Sequence, residues 1–209
     1  TNSKEICPLC FDVAENFYTE KYYLCDNCKG IFMKKEFFLS SCDEMKRYET
    51  HNNDVNDVGY QKFVSPITSE ILTNFTPKDV GLDFGSGTGP VISKILFDAG
   101  YSIKQYDPFF CNDERVLKQK YDYIACCEVI EHFHNPDDEF RLLKYLLKPN
   151  GVLYCMTDIY DPSIDFAKWY YKNDPTHVFI YQKETFEWIK THFGFSDLRV
   201  GNRLVVIKN

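Results

Sequence analysis

Short apolar runs and amphipathic stretches alternate from about residue 65 to the end of the chain. Ser65 to Phe75 predicts a helix, with Ser65 as cap, Pro66 at the first position and Ile67, Ile71 and Leu72 on one face. Val80-Gly81-Leu82 is an apolar run that enters Asp83 and then a turn with glycines at 85, 87 and 89. Val91, Ile92, Ile95 and Leu96 follow at helical spacing, from a start near Pro90. The pattern continues as a strand at 102–106, a helical turn near 113–119, a strand at 121–127, a helix at 136–147 and a strand at 151–157. Such alternation predicts a parallel α/β sheet with helices on both faces. Lys183 to Phe193 is amphipathic, with Phe186, Ile189 and Phe193 on one face and Gly194 as its stop. Asp197 to Gly201 and Arg203 to Lys208 read as two strands around Gly201-Asn202, a hairpin signal.

The first 62 residues differ. Tyr22-Tyr23-Leu24 reads as a strand that enters a cysteine pair, and Glu44 to Tyr48 as helical. His51 to Asp54 and Asn56-Asp57 carry turn chemistry. The expected division is therefore a small module at 1–38, a linking segment at 39–64 and an α/β domain at 65–209.

At 209 residues, with 44% hydrophobic and 26% charged positions, the chain can bury one ordinary core and a small appendage. No apolar run nears the roughly 20 residues that span a bilayer, and no secretory pattern opens the sequence, so a cytoplasmic, membrane-free protein is expected. The net charge of −7 argues against a strong sequence-independent hold on nucleic acid, though not against a local basic groove.

Nine cysteines in such a chain point to metal or thiol chemistry before disulfides. Cys7-x2-Cys10 and Cys25-x2-Cys28 are separated by 14 residues. Two such knuckles supply four thiolates to one tetrahedral Zn²⁺, with Pro8 and Gly30 suited to the turns. Four closed ligands leave no open position, so the expected ion is structural; the alternatives are a redox pair or a coincidental spacing. Residues 1–38 hold five lysines against six acids and form no obvious nucleic-acid patch. Cysteines 42, 111, 126, 127 and 155 lack ligand spacing and read as core positions.

The glycine-rich turn admits a purely structural reading. Its context adds chemistry: the following helix presents free N–H groups to an anion, and Asp107 ends the second strand 18 residues after Gly89. An acid about 20 residues beyond such a turn holds ribose hydroxyls in dinucleotide-binding folds. Here the spacing is GxGxG after an aspartate.

Asp83-Phe84-Gly85-Ser86-Gly87-Thr88-Gly89 resembles motif I of class I S-adenosylmethionine (SAM)-dependent methyltransferases. Tyr121 to His132 resembles the fourth-strand motif, Leu146 to Leu153 the turn before the fifth strand, and Asp174-Pro175-Thr176-His177 with Glu184-Thr185-Phe186 a late segment of small bacterial members of types 11, 12 and 23. The resemblance covers about residues 45 to 209. It implies a Rossmann-like, doubly wound, mostly parallel sheet with an antiparallel C-terminal strand. Only 14 residues lie between Asp107 and Asp122, so the usual third strand is expected to be missing.

It also implies a site. The loop of Asp83, Gly85, Ser86 and Gly87 would hold the methionine part of SAM or S-adenosylhomocysteine, and Asp107 the ribose. Pro108 and Phe109 would wall the adenine, and the backbone at Cys127 and Glu128 would take the ammonium. Tyr48, His51, Asn52 and Tyr60 are candidate lid residues, unless that segment is a solvated linker. His132 and His177 are candidate bases for the acceptor proton, each with a structural alternative. Tyr160, Trp169, Tyr170, Tyr171 and Tyr181 lie where an acceptor pocket would be roofed, and His134 is expected at the surface. The expected activity is methyl transfer to oxygen, nitrogen or carbon of a small acceptor. The alternatives are a ribosomal RNA methyltransferase that docks RNA through the ribbon, and a SAM-binding module without catalysis.

Overall fold

The computed structural model describes residues 3–50 and 53–209. Two sheets organise it. The larger contains β5 (Val80–Phe84), β6 (Ser102–Tyr106), β7 (Tyr121–Cys127), β8 (Leu147–Met156), β10 (Asp197–Val200) and β11 (Leu204–Lys208), in the order β10-β11-β8-β7-β5-β6. β5, β6, β7 and β8 run parallel, whereas β11 enters antiparallel to β8. β6 is the edge, so the usual third strand is missing, as the short interval predicted. A 3-10 turn at Glu114–Lys118 fills the interval instead. Chain order reverses at β5, which pairs with both β6 and β7.

α2 (Val58–Asn74) and α3 (Val91–Asp98) cover one face of this sheet, with Ile67, Ile71, Ile92 and Leu96 packed on Tyr123, Ala125 and Tyr154. α4 (Pro136–Leu146) and α5 (Lys183–Phe193) cover the other, where Phe140, Leu143, Phe186 and Ile189 are fully buried. Gly194 ends α5 in the left-handed conformation at φ 71°. Each alternation of helix and strand read from the sequence is present.

α2 departs from the expectation. It begins at Val58, not Ser65, and Pro66 lies inside it. Asp57 caps it by accepting from the Tyr60 N–H at 2.7 Å, and Val64 extends its buried face upstream. Burial of that stripe outweighs the hydrogen bond lost at proline. The helix thus crosses the expected 64/65 boundary. Before it, α1 (Ser41–Glu49) is capped by Ser40, which accepts from the Asp43 N–H.

The small sheet has the order β1-β2-β3-β4-β9: β1 (Lys4–Ile6), β2 (Val13–Tyr18), β3 (Tyr22–Cys25), β4 (Ile31–Met33) and β9 (Phe179–Ile180). Its last strand comes from the far end of the chain. Phe32 pairs with Phe179, and Gly30 leaves room for the Phe179 ring, where a Cβ would stand 2.3 Å from Cζ. Gly30 thus serves packing, and the left-handed turn positions fall instead on Phe11 and Lys29. Among the described residues no helix is long and apolar enough to cross a membrane.

Candidate functional site

A cavity of about 920 Å³ opens beyond the carboxyl ends of β5, β6 and β7. This is where open α/β sheets bind ligands, at the point of strand-order reversal. The glycine-rich loop forms one wall. Gly85 and Ser86 donate their N–H groups to the Tyr106 carbonyl, which ties the loop to the end of β6. Gly87 takes φ 63° and a Cβ there would meet nothing within 4 Å, so the backbone faces open space. The Ser86 hydroxyl is buried without a hydrogen-bond partner.

Asp107 stands opposite. Its Oδ2 accepts from the Gly87 N–H at 2.9 Å, and its Oδ1 from the N–H groups of Phe109 and Phe110. A carboxylate has about four acceptor positions, so capacity remains on the cavity side. Pro108 and Phe109 line the same end. Asp83 lies behind the loop and off the cavity wall. Its Oδ2 accepts from the Ser93 hydroxyl at 2.7 Å, and burial pushes its carboxyl up to about 6. It ties the end of β5 to α3 through Ser93.

Cys127 and Glu128 line the cavity at the end of β7. Glu128 takes φ 52° and pairs with Arg203 at 2.5 Å, while Arg203 also holds Asp158 at 2.8 Å. Burial, and then the charge of Glu131, raises the Glu128 carboxyl well above the usual carboxylate range.

The far wall carries His132 and His177, with Glu131 buried beside them. Glu131 is fully buried, and burial raises its carboxyl above its ordinary value. Its Oε1 accepts from the Tyr171 hydroxyl at 2.5 Å, whereas Oε2 has no hydrogen-bond partner. His132 Nδ1 lies 2.9 Å from the Thr176 carbonyl and His177 Nδ1 2.7 Å from the Tyr171 carbonyl. A ring nitrogen facing a carbonyl must donate, so in each ring Nε2 is the basic nitrogen. Burial, and then the nearby His132, holds His177 down to about 4. The two rings meet edge to face at 4.9 Å.

α1 closes the cavity from outside. The Tyr48 ring packs at 5.3 Å from His132 and 5.8 Å from Phe109. Its hydroxyl donates to Glu44 at 2.7 Å, and Arg47 pairs with Asp174 at 2.9 Å. Tyr60 and Asn53 also line the cavity. His51 and Asn52 lie outside the described residues. Of the expected roof, Tyr170 and Tyr171 reach the cavity, while Tyr160 and Trp169 pack with Phe166 beside the small sheet. Tyr181 is in the core and donates to the Ile130 carbonyl. His134, expected at the surface, is half-buried on the rim against Phe38.

Glu131, Arg203 and the Arg47–Asp174 pair escaped the sequence reading. Glu131 had a legible signal, as an acid between Ile130 and Phe133 just after a buried strand. Arg203 sits in a hairpin and carried none.

The four cysteines come together as expected, their sulfurs within 4.8 Å of one another. Cys7 and Cys28 are 3.5 Å apart and Cys10 and Cys25 3.3 Å, too long for disulfides. The two knuckles share one backbone form. Phe11 N–H donates to the Cys7 carbonyl and Lys29 N–H to that of Cys25, with both donors at φ near 60°.

Residues 59–200 match the family model described as a methyltransferase domain, type 23. The ubiquinone biosynthesis O-methyltransferase of Pasteurella multocida (strain Pm70) is 33% identical over 100 residues, 44% of this chain and 41% of that protein. The chain thus spans about two fifths of the length of the curated relatives it matches. A SAM-dependent methyltransferase from Archaeoglobus fulgidus superposes with TM-score 0.55 at 16% identity, over 71% of this chain and 94% of that one. Human N-acetylserotonin methyltransferase in complex with SAM superposes with TM-score 0.54 at 13% identity, over 81% and 56%. With the sheet order and the cavity at its switch point, the match over 59–200 establishes that the chain belongs to the methyltransferase-domain family and has the class I fold.

Proposed function

We propose that the chain transfers a methyl group from SAM to a hydroxyl oxygen of a small acceptor, with a structural zinc ion in its four-cysteine ribbon. One observation carries this reading: the glycine-loop wall and the His132–His177 wall open onto the same cavity. The residues fit the cofactor. The unpartnered Ser86 hydroxyl and the open space at Gly87 suit the methionine part, and Asp107 suits a ribose diol. Pro108 and Phe109 form the apolar wall for adenine, and Cys127 with Glu128 receives the ammonium. Bound SAM supplies the electrophilic methyl group.

The chain's own work is alignment, exclusion of water and proton handling. Tyr48 and Tyr60 cover the cofactor end. The basic Nε2 atoms of His132 and His177 serve the acceptor oxygen, and the O-methyltransferase relative supports oxygen as the acceptor atom. A small acceptor is favoured over RNA because Arg47 and Arg203, the arginines on the cavity, are each ion-paired with carboxylates.

In the ribbon, a tetrahedral ion with about 2.3 Å bonds would set sulfurs about 3.8 Å apart, near the spacing present. Its role is support. β4 carries β9, Met33 N–H binds the Val178 carbonyl, and Val178 N–H binds the Glu131 carbonyl. Ribbon, His177 and Glu131 are thus joined by backbone. Calorimetry with S-adenosylhomocysteine, followed by transfer of labelled methyl from SAM to a panel of phenols and alcohols, tests the reading. Absence of cofactor binding would overturn it.

A further inference from the structure

We propose that the acceptor carries a long aliphatic chain, and that this chain lies in a second groove between the ribbon and the start of α4. The proposal rests on the methyl-transfer reading: the cavity takes the head of the acceptor, and the groove takes the rest. The groove has a volume of about 550 Å³, within the range of roughly 300–1,000 Å³ usual for small-molecule sites. His134 and Asn135 line both the groove and the main cavity, so the two spaces meet there. At that rim the Phe38 ring packs 4.6 Å from His134, and His134 Nε2 lies 3.6 Å from Glu44. An acceptor held near His132 has its way out past this step.

The walls name the occupant. Buried Phe32 and Met33 lie under the ribbon side, with Pro8 and Phe38 beside them. The outer lip is Ile6, 59% exposed, and Phe11, 65% exposed. Val13 pairs across the strands with Ile6 and continues the same exposed surface. Three large apolar side chains together in water, on a module with little core, make a surface that an apolar ligand covers.

An anionic occupant does not fit. Glu5, Glu36, Asp137 and Asp138 outnumber Lys34 and Lys35 along the groove. Lys34 already pairs with Glu5 at 3.7 Å and Glu36 at 3.2 Å, and Asp137 with Arg141 at 3.0 Å. A phosphate or nucleotide would meet the excess of acid, whereas an uncharged chain lies on the apolar floor between charged banks.

Calorimetry on the 209-residue chain saturated with S-adenosylhomocysteine compares phenol with 4-octylphenol. The alkyl chain should tighten binding at least tenfold, since each buried methylene contributes up to about fourfold. Ile6→Thr combined with Phe11→Asn keeps a β-branched strand residue and supplies one that tolerates the φ of 60° at position 11. The double variant should lose most of the gain while its affinity for phenol and S-adenosylhomocysteine and its metal content hold. A photoreactive group at the end of the octyl chain should label the ribbon or residues 134–138, a readout that needs no variant. Equal affinity for the two phenols, an unchanged gain in the double variant, or label confined to residues away from the groove would overturn the proposal. Self-association of the chain that the double variant abolishes would assign the lip to a second copy and overturn it as well. Methyl transfer indifferent to chain length would overturn the groove and leave the methyltransferase reading intact. Groove-dependent binding of 4-octylphenol without methyl transfer to any acceptor would uphold the groove and count against that reading.

Discussion

The side-chain amide of Gln182 donates a 2.7 Å hydrogen bond to the carbonyl of Lys29, the residue that follows the fourth ribbon cysteine. Gln182 immediately precedes α5, so the second knuckle is fastened to the large domain next to β9. Tyr22 adds a second tie by donating to the Lys172 carbonyl at 3.0 Å.

Loss of the proposed ribbon ion should therefore reach the acceptor wall. Cys28→Ser should lower the zinc content from about one per chain, reduce the melting temperature, and cut methyl transfer more than cofactor affinity. Metal analysis, thermal melts and calorimetry check this. Unchanged turnover with the zinc gone would count against the support role.

Asp107 joins the glycine loop to the turn after β6 through its bonds to Gly87, Phe109 and Phe110. Asp107→Ala should weaken S-adenosylhomocysteine at least tenfold, in line with the roughly 1.5–3 kcal/mol of hydrogen bonds to a charged group. Equal affinity in the variant would sink the ribose assignment.

Asp83 gives a pH signature. Burial raises its carboxyl from 3.8 to about 6, so ionisation is disfavoured in the folded chain. The unfolded chain ionises first, and folding stability falls as pH rises from about 4 to 6, by roughly 3 kcal/mol. Asp83→Asn keeps an acceptor for Ser93 and removes the charge. It should stabilise the protein at pH 7.5 and not at pH 4, as read by denaturant melts. An equal effect at both pH values would contradict this.

Gly89 meets the covering segment. A Cβ there would stand 1.8 Å from the Asn53 carbonyl oxygen, so Gly89→Ala must displace the backbone near residue 53. The variant should bind S-adenosylhomocysteine severalfold more weakly and be cleaved faster by protease in that stretch, with the melting temperature little changed.

The parallel core was legible because buried strands and amphipathic helices repeat with clear periods, and glycines mark the turn between β5 and α3. The missing third strand was legible from chain length alone. The start of α2 was not, since Ser65-Pro66 mimics a helix start while the true cap is Asp57. The geometry of the proposed cofactor end was legible because it rests on backbone turns and a strand-end acid. The acceptor end was less so. Glu131, Tyr171 and His177 meet only through the fold, and Arg203 arrives from the C-terminal hairpin. The pairing of β4 with β9 joins positions about 150 apart, beyond any local pattern.

The most direct test of the central claim follows a labelled methyl group from SAM into extract of the source organism, separated into small molecules, RNA and protein. Label in the small-molecule fraction, lost in Asp107→Ala, is the predicted result. Label confined to RNA or protein, or none despite bound S-adenosylhomocysteine, would contradict it.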